Sequence, residues 1–187
     1  YEQLNAALGF KTSPVTGLWF NIYGGYQDLK NNLGSAAIAN YSGSYLQLLQ
    51  GNMHNIYAGA EASYSYKDII SFTASGIYRD WKTAKTENNS GDQLLYYMPS
   101  FEANFKVDIR PISSVLINLG YQHITREKIG NERVDPVGNL YLGGSYEVFE
   151  GISIYVRANN LLNKDYQYYP GYPTEGINFM GGVSFRF

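Results

Sequence analysis

The stretch SFEANFKVDIR, residues 100–110, restricts the fold more than any other part of the chain. Phe101, Ala103, Phe105, Val107 and Ile109 alternate with Glu102, Asn104, Lys106, Asp108 and Arg110. A period of two places the first set on one face of a β-strand and the second on the other. Five charged or amide side chains along one face cannot enter a dry core, because an unpaired buried charge costs several kcal/mol or more. One face is therefore wet and the other apolar throughout. Soluble strands run about 5–6 residues, whereas a tilted strand crossing a bilayer needs roughly 9–11. The twelve-residue alternating run at the C-terminus, 176–187, favours a membrane by its length.

The same alternation recurs along the chain. Toward the C-terminus, GINFMGGVSFRF (176–187) sets Ile177, Phe179, Gly181, Val183, Phe185 and Phe187 against Asn178, Ser184 and Arg186. ISIYVRANN sends Ile152, Ile154, Val156 and Ala158 to one face and Ser153, Tyr155, Arg157 and Asn159 to the other. Leu140, Leu142, Gly144, Tyr146 and Val148 oppose Gly143, Ser145 and Glu147, and Val115, Ile117, Leu119 and Tyr121 oppose Asn118, Gly120 and Gln122. Four further apolar faces are Ile70 to Gly76, Ile56 to Tyr64, Leu18 to Tyr26 and Leu4 to Phe10, which makes nine strands.

The connections alternate in length. SPVTG (13–17), KD (67–68), RPIS (110–113) and FEG (149–151) are tight, whereas 31–52, 82–94, 127–136 and 168–175 are long and rich in Asn, Gly, Ser and charge. Tight turns at one end and long loops at the other are the periplasmic and extracellular sides of an outer-membrane barrel. Composition agrees: 19 Tyr and 20 Gly occur with no apolar run long enough for a transmembrane helix. The mean hydropathy of −0.30 is what strands half-turned to water produce. No Cys is present, which excludes a disulfide scaffold, and a formal charge of −2 gives no reason to expect nucleic acid.

The expected fold is therefore all-β, a transmembrane antiparallel up-and-down β-barrel. With the last strand ending in the periplasm, counting back nine strands puts Tyr1 outside. A complete bacterial barrel has an even strand number and both ends in the periplasm. Residues 1–187 are thus expected to be the C-terminal part of a larger barrel, with no plug domain among them. A tenth strand in 31–52, where YLQLLQ (45–50) suits a strand or a loop helix, restores even parity but spoils the alternation of turn lengths. Tyr64, Tyr66, Phe72, Tyr78, Trp81 and Phe149, near strand ends, read as interfacial girdles or as ordinary strand propensity.

Catalytic chemistry finds no support. His54 and His123 are in phase with Ile56 and Tyr121, and no nucleophile accompanies them. No metal-ligand spacing occurs, Glu87 and Asp92 being scattered, and no cofactor is expected. Gly24-Gly25, Gly143-Gly144 and Gly181-Gly182 lie inside strands and open no helix, so they read as close-packing sites. The wet face carries Glu61, Glu102, Lys106, Asp108, Arg110, Glu147, Arg157 and Arg186, a mixed-sign wall suited to a plug, a solute path or simple cross-strand pairing. Tyr168, Tyr169 and Tyr172 offer rigid aromatic area for either ligand contact or loop packing.

The stretch VRANNLLNKDYQYYPGYPTEGINFMGGVSFRF, residues 156–187, resembles the C-terminal end of TonB-dependent outer-membrane receptors. Asn160, Leu161, Leu162, Asn163, Lys164 and Tyr166 match that family's penultimate-strand run, and Phe187 its terminal aromatic. The Tyr-Pro-Gly-Tyr-Pro segment, 169–173, is similar to receptor-like proteins of Bacteroidetes. The resemblance implies a receptor or transporter in the bacterial outer membrane, taking up an unidentified ligand. It implies outer-membrane lipids, the barrel-assembly machinery, TonB and an upstream plug as partners, with Phe185 and Phe187 as the assembly signal. Such barrels have about 22 strands and a plug; the chain shows neither a plug nor a TonB-engaging segment. A plugless porin or a structural barrel of an envelope complex fits the same pattern.

Overall fold

The computed structural model describes residues 2–40, 43–83, 95, 98–128, 134–169 and 172–186; for 32–40 and 43–50 it describes the backbone alone. Among the described residues eleven strands form: β1 Glu2–Val15, β2 Leu18–Asn40, β3 Gly43–Tyr66, β4 Ile70–Thr83, β5 Pro99–Ile109, β6 Val115–Arg126, β7 Val137–Phe149, β8 Ile152–Asn159, β9 Gln167–Tyr169, β10 Tyr172–Pro173 and β11 Asn178–Phe185. Nine of them make one antiparallel sheet in the order β1-β2-β3-β4-β5-β6-β7-β8-β11, and β9 and β10 pair as a small ribbon. The sheet is open, with β1 and β11 at its edges. No helix among the described residues is long and apolar enough to cross a membrane.

The register keeps like with like. Phe105 lies between Ala74 and Tyr121, and Asn104 between Ser75 and Gln122. The period of two is thus carried sideways from strand to strand, giving one apolar face and one polar face. The apolar face is bare: Leu8 is 85% exposed, Phe105 53% and Phe179 80%. A soluble sheet must cover such a face with a second layer. No second layer exists here among the described residues, and only Met53, Trp81, Leu95, Ala103, Val137 and Tyr166 are buried apolar residues. An uncovered apolar surface spanning nine strands is suited to lipid, not to water.

The tight ends are built as the turn chemistry demands. In the three-residue connection 67–69, Lys67 and Asp68 both adopt positive φ (47° and 54°) and the Ile69 N–H donates to Tyr66 O at 3.0 Å, and Gly17 and Gly151 take positive φ at 83° and 79°. The first turn is tighter than 13–17: a bulge between Thr12 and Val15 leaves only residues 16–17 between β1 and β2. An exposed apolar residue stands in or beside each short turn: Val15, Ile69, Ile112 and Phe149.

Two expectations are corrected. The stretch 31–52 is not a loop: β2 and β3 run on past the rest of the sheet, pairing from Asn32 with Gly51 to Asn40 with Gly43. Each strand pairs the inward-pointing half of the other's backbone groups, while the outward-pointing half has no strand beside it. YLQLLQ is accordingly a continuation of β3 and adds no crossing. The joint is a register shift between Leu29 and Asn32, where Asn31 takes φ 54° and its N–H donates to Asn52 Oδ1 at 2.8 Å. Trp81 does not join a girdle either. It shares the polar face with Arg79 and is buried against Met53 and Leu95, whereas Tyr64, Tyr66, Phe72, Tyr78 and Phe149 are exposed. The stretches 84–94 and 129–133 lie outside the described residues.

On the polar face, tyrosine rings lie across glycines of the adjacent strand. Tyr23 pairs with Gly59, Tyr57 with Gly25, Tyr141 with Gly120 and Tyr155 with Gly182. A Cβ on Gly59 or Gly120 would fall inside the ring of Tyr23 or Tyr141. The glycines, poor strand formers, are needed for this approach. Gly120→Val should therefore cost about 1–3 kcal/mol by overpacking, despite valine's better strand propensity. Placed in a Tyr141→Ala background it should cost much less, and urea unfolding of the four variants in detergent measures the coupling.

Candidate functional site

The polar wall divides into separate groups. In its centre Arg79 on β4 reaches one strand across to Glu102 on β5, an ion pair with both side chains largely covered. Tyr23 and Tyr57 meet edge to face at 6.5 Å, and the Tyr57 hydroxyl donates to Asn5 Oδ1 at 3.0 Å. Glu61 lies on the same face of β3, between Asn21 and Ser75, and forms no ion pair among the described residues. Toward the short-turn end Lys106 pairs with Asp108 at 2.7 Å. On β8 the Arg157 guanidinium stacks 4.0 Å over Tyr141 and its Nε donates to Asn159 Oδ1 at 2.8 Å.

Of the eight wall residues predicted from alternation, Glu102, Lys106, Asp108 and Arg157 thus have specific partners, and Glu61 stands beside the central group. Arg110, Glu147 and Arg186 are at the short-turn end. There the Arg110 N–H donates to Ile69 O, the Arg186 N–H donates to Gly151 O, and Glu147 accepts from the Gly151 N–H at 3.2 Å. These bonds serve turns. Arg79, absent from the predicted set, is the partner that holds Glu102; the parity of β4 marks it, since it follows Ile77 on the polar side.

Toward the long-loop end the wall turns apolar. Met53, Trp81 and Leu95 are buried together with Leu29 and Met98 beside them, and Trp81 Nε1 donates to Pro99 O at 3.0 Å. Below this patch Asn55 Nδ2 donates to Gln27 Oε1 at 2.9 Å, inside the wall.

The segment after β8 is fastened to the rim. The run Asn160 to Tyr166 is not part of the penultimate strand, as the family resemblance suggested, but a turn following it. Asn160 and Asn163 bend the backbone at φ 52° and 48°, a conformation Asn tolerates better than most residues. The buried Asn160 amide donates to the carbonyls of Lys164 and Glu175, both at 3.0 Å, and its Oδ1 accepts from the Lys164 N–H at 3.1 Å. One side chain thereby closes both ends of the segment. From β6, Arg126 Nη2 donates to the carbonyls of Gln167 (2.8 Å) and Tyr168 (2.9 Å). Tyr166 is buried at 5% exposure, in edge contact with Tyr168. Burial, with Tyr168 second, pushes the Tyr166 phenol up to about 12, so it is neutral across the physiological range.

The predicted contact residues are therefore not equivalent. Tyr168 donates its hydroxyl to Gln122 Oε1 on the wall at 2.8 Å and is partly used in packing, whereas Tyr172 is 75% exposed. The Tyr169 side chain and all of Phe187 lie outside the described residues, and Phe185 is exposed on the apolar face at the end of β11. Among the described residues no three His, Asp or Glu converge to hold a metal ion. The wall offers paired charges, amides and phenols, which suit hydrogen-bonded contact with another polar surface or a hydrated solute.

No protein-family model matches the sequence, and no characterised protein matches it by sequence comparison. Solved structures do match in shape. The copper transporter OprC superposes with a TM-score of 0.72 at 18% identity, over 99% of this chain and 31% of that one. The ferric enterobactin receptor PfeA from Pseudomonas aeruginosa gives 0.71 at 16% identity, again over 99% and 31%. The chain has the fold of a section of these outer-membrane barrels. It spans under a third of the length of these two proteins. OmpT of Vibrio cholerae also matches, with a TM-score of 0.63 and 12% identity over 98% of this chain and 56% of that one.

Proposed function

We propose that residues 1–187 are the C-terminal wall of an outer-membrane receptor or transporter barrel of the TonB-dependent type, which takes up a ligand from outside the cell. The observation that carries this reading is the nine-strand sheet, bare and apolar on one face, polar on the other, and matched along its length by receptor barrels. Left alone, its two edges would leave backbone groups unsatisfied in lipid, so further strands complete the wall. The bare face then meets lipid and the polar face lines the lumen. There Arg79, Glu102, Glu61, Lys106 and Arg157 face a plug and, on energised movement by TonB, a passing ligand. The chain acts by binding and conduction, without a catalytic group. Phe185 and Phe187 serve the barrel-assembly machinery, and the Tyr-Pro-Gly-Tyr-Pro segment suggests a Bacteroidetes-like receptor.

The 56% share of OmpT favours a second reading, a smaller barrel without a plug. Planar bilayers distinguish the two. The receptor reading expects the reconstituted full-length protein to be closed, and steady ohmic current would favour the plugless barrel. The orientation has its own test. Tyr172→Cys should react with a membrane-impermeant reagent on intact cells, and Ile112→Cys only after the outer membrane is permeabilised. The reverse pattern would overturn the assignment of the long-loop end to the outside.

A further inference from the structure

The bare face carries a groove of about 510 Å³ near β11, lined by Ile117, Leu142, Gly144, Val156, Ala158 and Phe179 among others. Register explains it. Gly144 sits between Ile117 and Val156, and Ala158 between Leu142 and Phe179, so small residues lie between large ones in two successive cross-strand rows. Its volume is within the range of small-molecule sites.

Further along the same face of β7, toward the rim, is Gly138. A Cβ there would meet the Tyr121 hydroxyl at 3.3 Å and Lys164 Cδ at 3.8 Å. The stem of Lys164 therefore lies on the apolar face, although Tyr168, four residues later, bonds to the polar wall. Lys164 is held there from both sides of its backbone by Asn160, and it forms no ion pair among the described residues. From Gly138 to Leu142 is four residues, about 13 Å along a strand. To Gly144, the far row of the trough, is six residues, about 20 Å along the strand; at a tilt of about 45° that is about 14 Å of depth, less than half of a hydrocarbon core about 30 Å thick, so the whole trough can lie in one leaflet with Gly138.

We propose that this groove and Lys164 form one lipid site, in which an acyl chain fills the trough and a phosphate headgroup meets the ammonium, with the Tyr121 hydroxyl beside it. The chemistry is complementary at both ends. A cation at the interface attracts an anionic headgroup, and a trough in the apolar face orders a chain that a smooth wall would leave mobile. The inference rests on the membrane embedding proposed above but not on any uptake activity.

Native mass spectrometry of the delipidated full-length protein tests it, with dioleoyl phosphatidic acid and dioleoylglycerol as probes. The wild type should retain one phosphatidic acid beyond the background. Lys164→Met, which keeps the stem, should weaken phosphatidic acid about fivefold and leave dioleoylglycerol unchanged, and Lys164→Arg should restore it. Ala158→Phe and Gly144→Leu, both on the lipid side, should weaken both probes by filling the trough. Retention that is the same in all variants would reduce the site to ordinary annular lipid and overturn the proposal. A wild-type protein that stays monodisperse without detergent would instead overturn the membrane reading itself.

Discussion

Phe105→Arg and Ile154→Arg should each cost roughly 2–4 kcal/mol of folding stability, while Asn104→Arg and Ser153→Arg, one residue away, should be tolerated. The contrast follows from where the sheet is bare. Phe105 and Ile154 are 53% and 45% exposed on the apolar face, so in a bilayer an arginine there has no water and no partner. Asn104 and Ser153 lie on the wall that already holds Arg79–Glu102 and Lys106–Asp108, where a new charge finds hydration and counter-charges. Urea unfolding of the full-length protein in lipid vesicles measures all four. Because the side-chain period is two, the effect must alternate between loss and tolerance with each step along β5 and β8. Equal losses at all four positions would mean that both faces pack into dry cores, and the membrane reading would fall.

The faces were legible because alternation needs no knowledge of neighbours: Phe101 to Arg110 declares both sides of β5 by itself. What depended on register was not. Nothing in the spacing of Tyr141 and Gly120 shows that they oppose one another, so the ring-on-glycine contacts appeared only with the pairing of β6 and β7. The ribbon beyond Asn31 was missed for a related reason. Its Asn, Ser and Gly content looks like a loop, and its order comes from pairing with a distant stretch of chain. Trp81 was misplaced because its strand was followed only to Gly76; carried on by parity, β4 puts Ile77, Arg79 and Trp81 on the polar side. Of the candidate site, alternation identified the side of Glu102 and Arg157 but not their partners, since partners come from neighbouring strands.

Asn160→Ala should release the segment 160–177 from the rim while leaving β5 and β6 intact. Three things are lost together. The buried amide gives up two donated bonds and one accepted bond, each worth about 0.5–1.5 kcal/mol net. The carbonyls of Lys164 and Glu175 lose a donor in a partly buried place. Alanine is also disfavoured at φ 52° by about 1–2 kcal/mol, where asparagine is not. The sum, on the order of 3–5 kcal/mol, corresponds to a hundredfold or greater rise in local opening. Amide hydrogen exchange should show it between Leu161 and Ile177, because loops open as local units without global unfolding. Asn160→Gly separates the causes: it keeps the backbone angle and loses only the bonds, so it should fall between wild type and alanine. If instead both variants leave exchange in 161–177 unchanged, the segment is held by its other contacts, among them Arg126, the burial of Tyr166 and the Tyr168–Gln122 bond, and the Asn160 side chain in the family-like run would have no structural role here.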